Sequence, residues 1–187
     1  MTNKHYFKKS SPVRFVITFL VLFLLFYYFN VFYFGITSKG NHYSAFLDEH
    51  LNYIKWLRWI LLHSAAKVLN WLGYMSLVSN YELLAVGHSK IRLIYTCLGL
   101  GVMSFFAAFV MAYPKTLKSK IILLITGLLG IQVLNILRFI LLALYWNRTK
   151  ERIIDHHIIF DVFIYIVIAV TLYHWVNSKK NNPDAAN

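Results

Sequence analysis

Three side chains have types that do chemistry and stand where apolar residues are expected: Cys97, Arg138 and His157. A thiol beside an imidazole can supply a thiolate nucleophile, because a neighbouring base or cation favours the ionised form. A fixed arginine can bind a carboxylate or stabilise an oxyanion. An imidazole can hand a proton to a leaving amine. Each also has a plainer reading. A lone cysteine in an apolar helix usually packs as a small hydrophobe. An arginine in a span can snorkel to the headgroups or pair with an acid such as Asp161. His156 and His157 can be interfacial residues at a helix start, and as adjacent residues they point apart, which makes a poor metal site. With a single cysteine there is no intramolecular disulfide and no thiolate metal cluster, so no metal and no cofactor is expected.

The elements that must position these groups are membrane spans. Of 187 residues, 59% are hydrophobic and only 14% charged, where a soluble domain carries about 25% charged residues. Aromatics reach 18% and the mean hydropathy is +0.56. These values exclude an ordinary soluble enzyme and a disordered chain. They predict an all-α, polytopic helical membrane protein forming one domain over residues 1–187. Five apolar segments are long enough to matter: 13–35, 51–78, 93–113, 121–146 and 157–176. A bilayer core needs about 20 apolar residues as helix. The first follows Lys4, Lys8 and Lys9 and is too long for a signal-peptide core, so it reads as a retained span.

The second segment differs. Asn52, Lys55, His63, Lys67 and Asn70 fall on one helical stripe, with Arg58 flanking it. Such a helix fits an amphipathic element lying in the interface; the alternative is an additional span whose stripe faces a protein cavity. Between it and the third segment, two short apolar runs flank Gly87-His88-Ser89, the pattern of a hairpin.

Charge supplies the orientation. The net charge of +12 accompanies no nucleic-acid-binding pattern, so no nucleic acid is expected. Lys4, Lys8, Lys9, Arg14, Lys115, Lys118, Lys120, Lys179 and Lys180 can all be cytoplasmic if segments 1, 3, 4 and 5 cross and segment 2 does not. The short opposite loop, 147–156, holds only Arg148, Lys150 and Arg152 as basic residues. Four spans, both termini inside and an external amphipathic helix follow.

This topology brings the three reactive side chains to one depth. Cys97 is early in an inward-running span and His157 opens another. Arg138 lies 17 residues after Ile121, about 26 Å along an outward-running helix. Gln132 and Asn135 share roughly its face, and Asp161 is one turn beyond His157.

The ordered set Tyr95-Thr-Cys97-Leu-Gly99, Asn135-Ile-Leu-Arg138 and Asp155-His156-His157-Ile-Ile-Phe160-Asp161 resembles the exosortase/archaeosortase family of membrane transpeptidases. The resemblance covers about residues 80–176. It departs from the family at Leu98, where a small residue is frequent, and at Asp161, where glycine is frequent. It implies a cysteine peptidase/transpeptidase in the cytoplasmic membrane of a prokaryote, with its site on the external side. Its substrates would be secreted proteins bearing a C-terminal motif, a hydrophobic helix and a basic tail. Its acceptor would be an envelope lipid or glycan. Cys97 would be the nucleophile, His157 (rather than His156) the general acid/base, and Arg138 the oxyanion stabiliser or substrate orienter. Asn135 would support Arg138 and Asp161 would orient His157, with Gly99 in the cysteine motif. The loop 147–156 and the amphipathic helix would flank the substrate entrance. The competing reading is a transporter or structural subunit that binds membrane lipids through Arg138 and external basic residues. A metal-dependent protease lacks its H-E-x-x-H motif.

Overall fold

The computed structural model describes residues 12–38, 43–145 and 156–178, with the side chains of 156–159 outside that description. Helix α1 (Pro12–Thr37) leads to a short α2 (Ala45–His50) and to α3 (Tyr53–Trp71). Three strands follow, β1 (Ser76–Val78), β2 (Glu82–Ala85) and β3 (Lys90–Arg92), then a 3-10 turn at Tyr95–Leu98. Helices α4 (Leu100–Ala112), α5 (Leu117–Tyr145) and α6 (His156–Asn177) complete the described residues. The protein is a mostly helical membrane protein. Among the described residues, α1, α5 and α6 are long and apolar enough to cross a bilayer. Helix α4 has 13 residues, about 20 Å of helix.

Helix α1 turns apolar side chains outward: Ile17, Val21, Leu25 and Phe32 are exposed, which suits lipid rather than water. Its other face is aromatic. Phe19 and Phe15 meet Phe105 and Phe109 of α4 edge-on, at centroid distances of 5.3 and 5.5 Å. Helix α5 approaches α4 closely at Gly127, where any Cβ would fall within 2.2 Å of the Phe106 ring. Asn30, a polar residue inside α1, is fully engaged. Its Nδ2 donates to Phe26 O (2.8 Å) and Ser104 Oγ (3.1 Å), and its Oδ1 accepts from the Tyr53 hydroxyl (2.6 Å).

The non-helical elements gather at one end of the bundle. The Tyr33 hydroxyl donates to Leu51 O at 2.6 Å, tying the approach to α3 to the end of α1. The far end of α3 is held by Ser76, whose backbone N–H donates to Asn70 Oδ1 (3.0 Å) and whose hydroxyl donates to Ala66 O (3.2 Å). The sheet is antiparallel in the order β1-β2-β3, with Leu77 opposite Leu84 and Leu83 opposite Ile91. Its β2–β3 tip caps α5: Ser89 N–H donates to Ala143 O at 3.1 Å, and His88 Nδ1 lies 3.2 Å from Leu144 O. Helix α5 has no basic residue in its last turn, so the hairpin tip supplies donors that its terminal carbonyls need. Both ends of α3 are thus held against the sheet end of the bundle. At the opposite end, the buried Lys115 ammonium donates to Trp175 O and Ser178 O and sits over the Trp175 ring, closing off α6. Burial pushes that ammonium below the usual lysine range.

Several expectations need correction. The segment 93–113 is not one helix: α4 begins only at Leu100, and the residues before it are extended chain and a 3-10 turn. Gly99, with φ +73°, makes the break. The segment 51–78 ends its helix at Trp71; a left-handed Gly73 follows, and residues 76–78 are a strand. The polar stripe of α3 divides. Lys55, His63, Lys67 and Asn70 are exposed, Asn52 is buried as the N-cap, and Arg58 is buried rather than flanking the exposed face. The expected hairpin is present as β2–β3, with a third strand beside it.

Candidate active site

The cysteine lies in a turn that is keyed onto α5. Cys97 N–H donates to Ile94 O at 3.0 Å within the 3-10 turn, and the left-handed Gly99 redirects the chain into α4. The Leu98 carbonyl, exposed by that change of direction, accepts from Asn135 Nδ2 and Gln132 Nε2, each at 3.4 Å. Asn135 Nδ2 also donates to Gln132 Oε1 at 3.2 Å. The fit is close enough that a Cβ on Gly99 would fall 2.5 Å from Asn135 Nδ2. Asn135 is therefore a clamp on the cysteine turn. Sequence reasoning placed it as a support for Arg138.

One turn along α5, Arg138 is buried at 5% exposure, and its Nη1 donates to Asp161 Oδ1 of α6 at 2.8 Å. Asp161, which the sequence offered both as a partner of Arg138 and as an orienter of His157, pairs with Arg138; the His157 side chain lies outside the described residues. Asp161 lies four residues into α6 from His157, and His156 and His157 open that helix. A cleft of about 140 Å³ runs between the turn, α5 and α6, lined by Thr96, Gly99, Asn135, Arg138, Asp161 and Tyr165. The Cys97 side chain is 7% exposed and packs in the apolar cluster with Leu93, Leu98 and Phe139, while its neighbour Thr96 reaches the cleft. Thr96 and Tyr165 were not expected at the site: Thr96 lies inside the cysteine motif but was given no role, and Tyr165 is marked by no motif and is brought there by the packing of α6. The expected entrance loop 147–156 falls almost wholly on residues outside the described set.

The arrangement is chemically coherent. It joins a thiol-bearing turn, a hydrogen-bonding clamp and a buried guanidinium with its carboxylate, the latter on a helix that begins at His156. In a low-dielectric setting, a fixed guanidinium acts strongly on developing negative charge.

Arg138 and Asp161 are carried on membrane-length apolar helices, with the cysteine turn packed against them, which defines a multi-pass membrane protein with an embedded polar site. The chain belongs to the transmembrane exosortases, whose family model matches residues 11–174. Membership makes it a membrane protein of the protein-sorting transpeptidase kind. No curated protein and no solved structure matches it.

Proposed function

We propose that this exosortase is a cysteine transpeptidase that cleaves the C-terminal sorting signal of secreted proteins and transfers them to an envelope lipid or glycan. The observation that carries the reading is the clamp of the Cys97–Gly99 turn on Asn135, one helical turn from the Arg138–Asp161 pair. Its side-chain hydrogen bonds hold the cysteine segment against the stretch of α5 that also carries the guanidinium, which supports a shared reaction centre.

In this mechanism the Cys97 thiolate attacks the backbone carbonyl of the substrate, forming the C–S bond and a tetrahedral oxyanion that faces Arg138. Collapse breaks the C–N bond, and the leaving amine takes its proton from the imidazolium of His157. The resulting thioester is attacked by the acceptor nucleophile, whose proton returns to His157 as the Cys97 thiolate leaves. Asp161 holds Arg138 in place, and His156 is the second candidate for the proton transfer. Segments 1, 3, 4 and 5 cross the cytoplasmic membrane of a prokaryote, and the sheet end of the bundle faces outward. A substrate helix docks sideways against the spans.

The test is co-expression with a secreted protein bearing a C-terminal motif, helix and basic tail. Cys97→Ala and Cys97→Ser are expected to leave the substrate uncleaved while the enzyme accumulates in the membrane. Wild-type processing by Cys97→Ala would sink the proposal.

A further inference from the structure

A second cavity, far larger than the first, lies between α3, the β1–β2 turn and the chain leading from β3 to the cysteine turn, with a volume of about 660 Å³. Among the described residues, three cations line it, Lys55, Arg58 and Arg92, together with His63 and one carboxylate, Asp48. That carboxylate accepts from the Tyr43 hydroxyl at Oδ2 and from Asn52 Nδ2 at Oδ1, each at 2.8 Å.

Arg58 is the unusual member. It is 8% exposed, its guanidinium stacks over the Tyr81 ring at 4.4 Å, and its buried Nε has no hydrogen-bond partner among the described residues. It forms no ion pair there either. A buried guanidinium without an anion is costly, and its fork of N–H donors matches the oxygens of a phosphate or carboxylate. Lys55 and Arg92 are exposed and bring further positive charge to the same cavity. Three cations exceed what one carboxylate requires, and the volume exceeds it as well. Exposed Trp59 and Ile94 and half-buried Tyr95 give the same cavity an apolar side.

We propose that this cavity is a binding site for a phosphate ester, with Arg58 as the buried anchor and Lys55 and Arg92 as the rim. A lipid headgroup and a soluble phosphate ester share this chemistry. The apolar wall adds contacts that only an amphiphile's glyceride end would use.

The experiment is equilibrium titration of the full chain in detergent with two probes, glycerol 3-phosphate and monomeric dihexanoyl phosphatidylglycerol. The proposal expects saturable binding, weakened at least tenfold in Arg58→Met. Equal affinity for the two probes assigns the site to soluble phosphate esters; tighter binding of the phospholipid assigns it to lipid headgroups. Arg58→Met also removes an unpaired buried charge, so its melting temperature without ligand should equal or exceed that of wild type. A lowered melting temperature with unchanged affinity would make Arg58 a structural prop and overturn the proposal, as would no binding of either probe. If Arg58→Met does not accumulate, Lys55→Gln/Arg92→Gln carries the test, because both residues are exposed. It is expected to weaken binding about tenfold, and unchanged affinity overturns the proposal. Lys118→Gln, at the opposite end of the bundle, is the control expected to bind as wild type.

Discussion

Arg138 and Asp161 form an asymmetric ion pair: the arginine side chain is 6% exposed and the aspartate 48%, with 2.8 Å between Nη1 and Oδ1. The cation is the desolvated partner, so the carboxylate's first role is to make burial of the guanidinium tolerable. Removing one member of a buried pair costs about 3–5 kcal/mol; the half-open position of Asp161 brings the expectation for Asp161→Asn to about 1–2 kcal/mol. Arg138→Met/Asp161→Leu removes both charges and should recover most of that stability, because apolar replacement of a buried pair is often neutral or favourable. Substrate processing should remain abolished in the double variant. Thermal melts in detergent and a processing assay read the two effects separately. A stable double variant that still processes substrate would make the pair purely structural.

Gly99 is expected to tolerate no side chain. Its φ of +73° is left-handed, and a Cβ would sit 2.5 Å from Asn135 Nδ2. The backbone conformation alone costs a non-glycine residue about 1–2 kcal/mol, and the clash adds to it. In a double-mutant cycle, Asn135→Ala should relieve the clash but not the conformational strain, so Gly99→Ala/Asn135→Ala should be less destabilised than the sum of the single variants. Strict additivity in the melting data would show that the clamp does not hold the turn.

The Tyr53 hydroxyl donates to Asn30 Oδ1, and burial foremost pushes its pKa from 10.0 up to about 12. The sign follows from linkage. An unfolded tyrosine loses its proton near pH 10 while the folded one keeps it, so the stabilisation is complete below pH 10 and lost as pH rises towards 12. Tyr53→Phe should cost about 1 kcal/mol at neutral pH and flatten the decline of stability across that window. An unchanged slope in alkaline denaturation would contradict the assignment.

The contrast between what the sequence disclosed and what it hid has physical causes. Arg138 was legible because a charge in an apolar run has a large transfer cost, and Asp161 was named as an acid with which it could pair. The helical character was legible because apolar runs of span length have few alternatives. The turn that carries Cys97 was not, because hydropathy over 93–113 is the same for a helix and for buried turn and strand; only Gly99 marked the break. Strand β1 was hidden in the tail of a helix-like segment for the same reason. Arg58 sat at the edge of a polar stripe on the helical wheel, and its burial depends on a sheet packed over α3, a non-local fact. The clamp by Asn135 was half visible: its face of α5 was readable, but not the carbonyl that it meets.

The contacts at the sheet end bear on how the chain crosses the membrane. Helix α3 is joined to the end of α1 through Tyr33 and Leu51 and, at its other end, to the sheet that caps α5. On the proposed topology an element so held lies across the bundle, and α1, α4, α5 and α6 alternate in direction. Helix α4, with 13 residues, spans less than a bilayer core of about 30 Å; the buried cysteine turn before it makes up part of the difference, with Leu98 and Leu100 packed in the core. Because Cys97 is the single cysteine, Cys97→Ala gives a background for labelling. In it, Asn80→Cys, in the exposed turn between β1 and β2, should react with a membrane-impermeant maleimide on intact cells. Lys118→Cys, at the start of α5, should react only after lysis. Labelling of both positions, or of Lys118→Cys alone, on intact cells would reverse the orientation and remove the active site from the outer face.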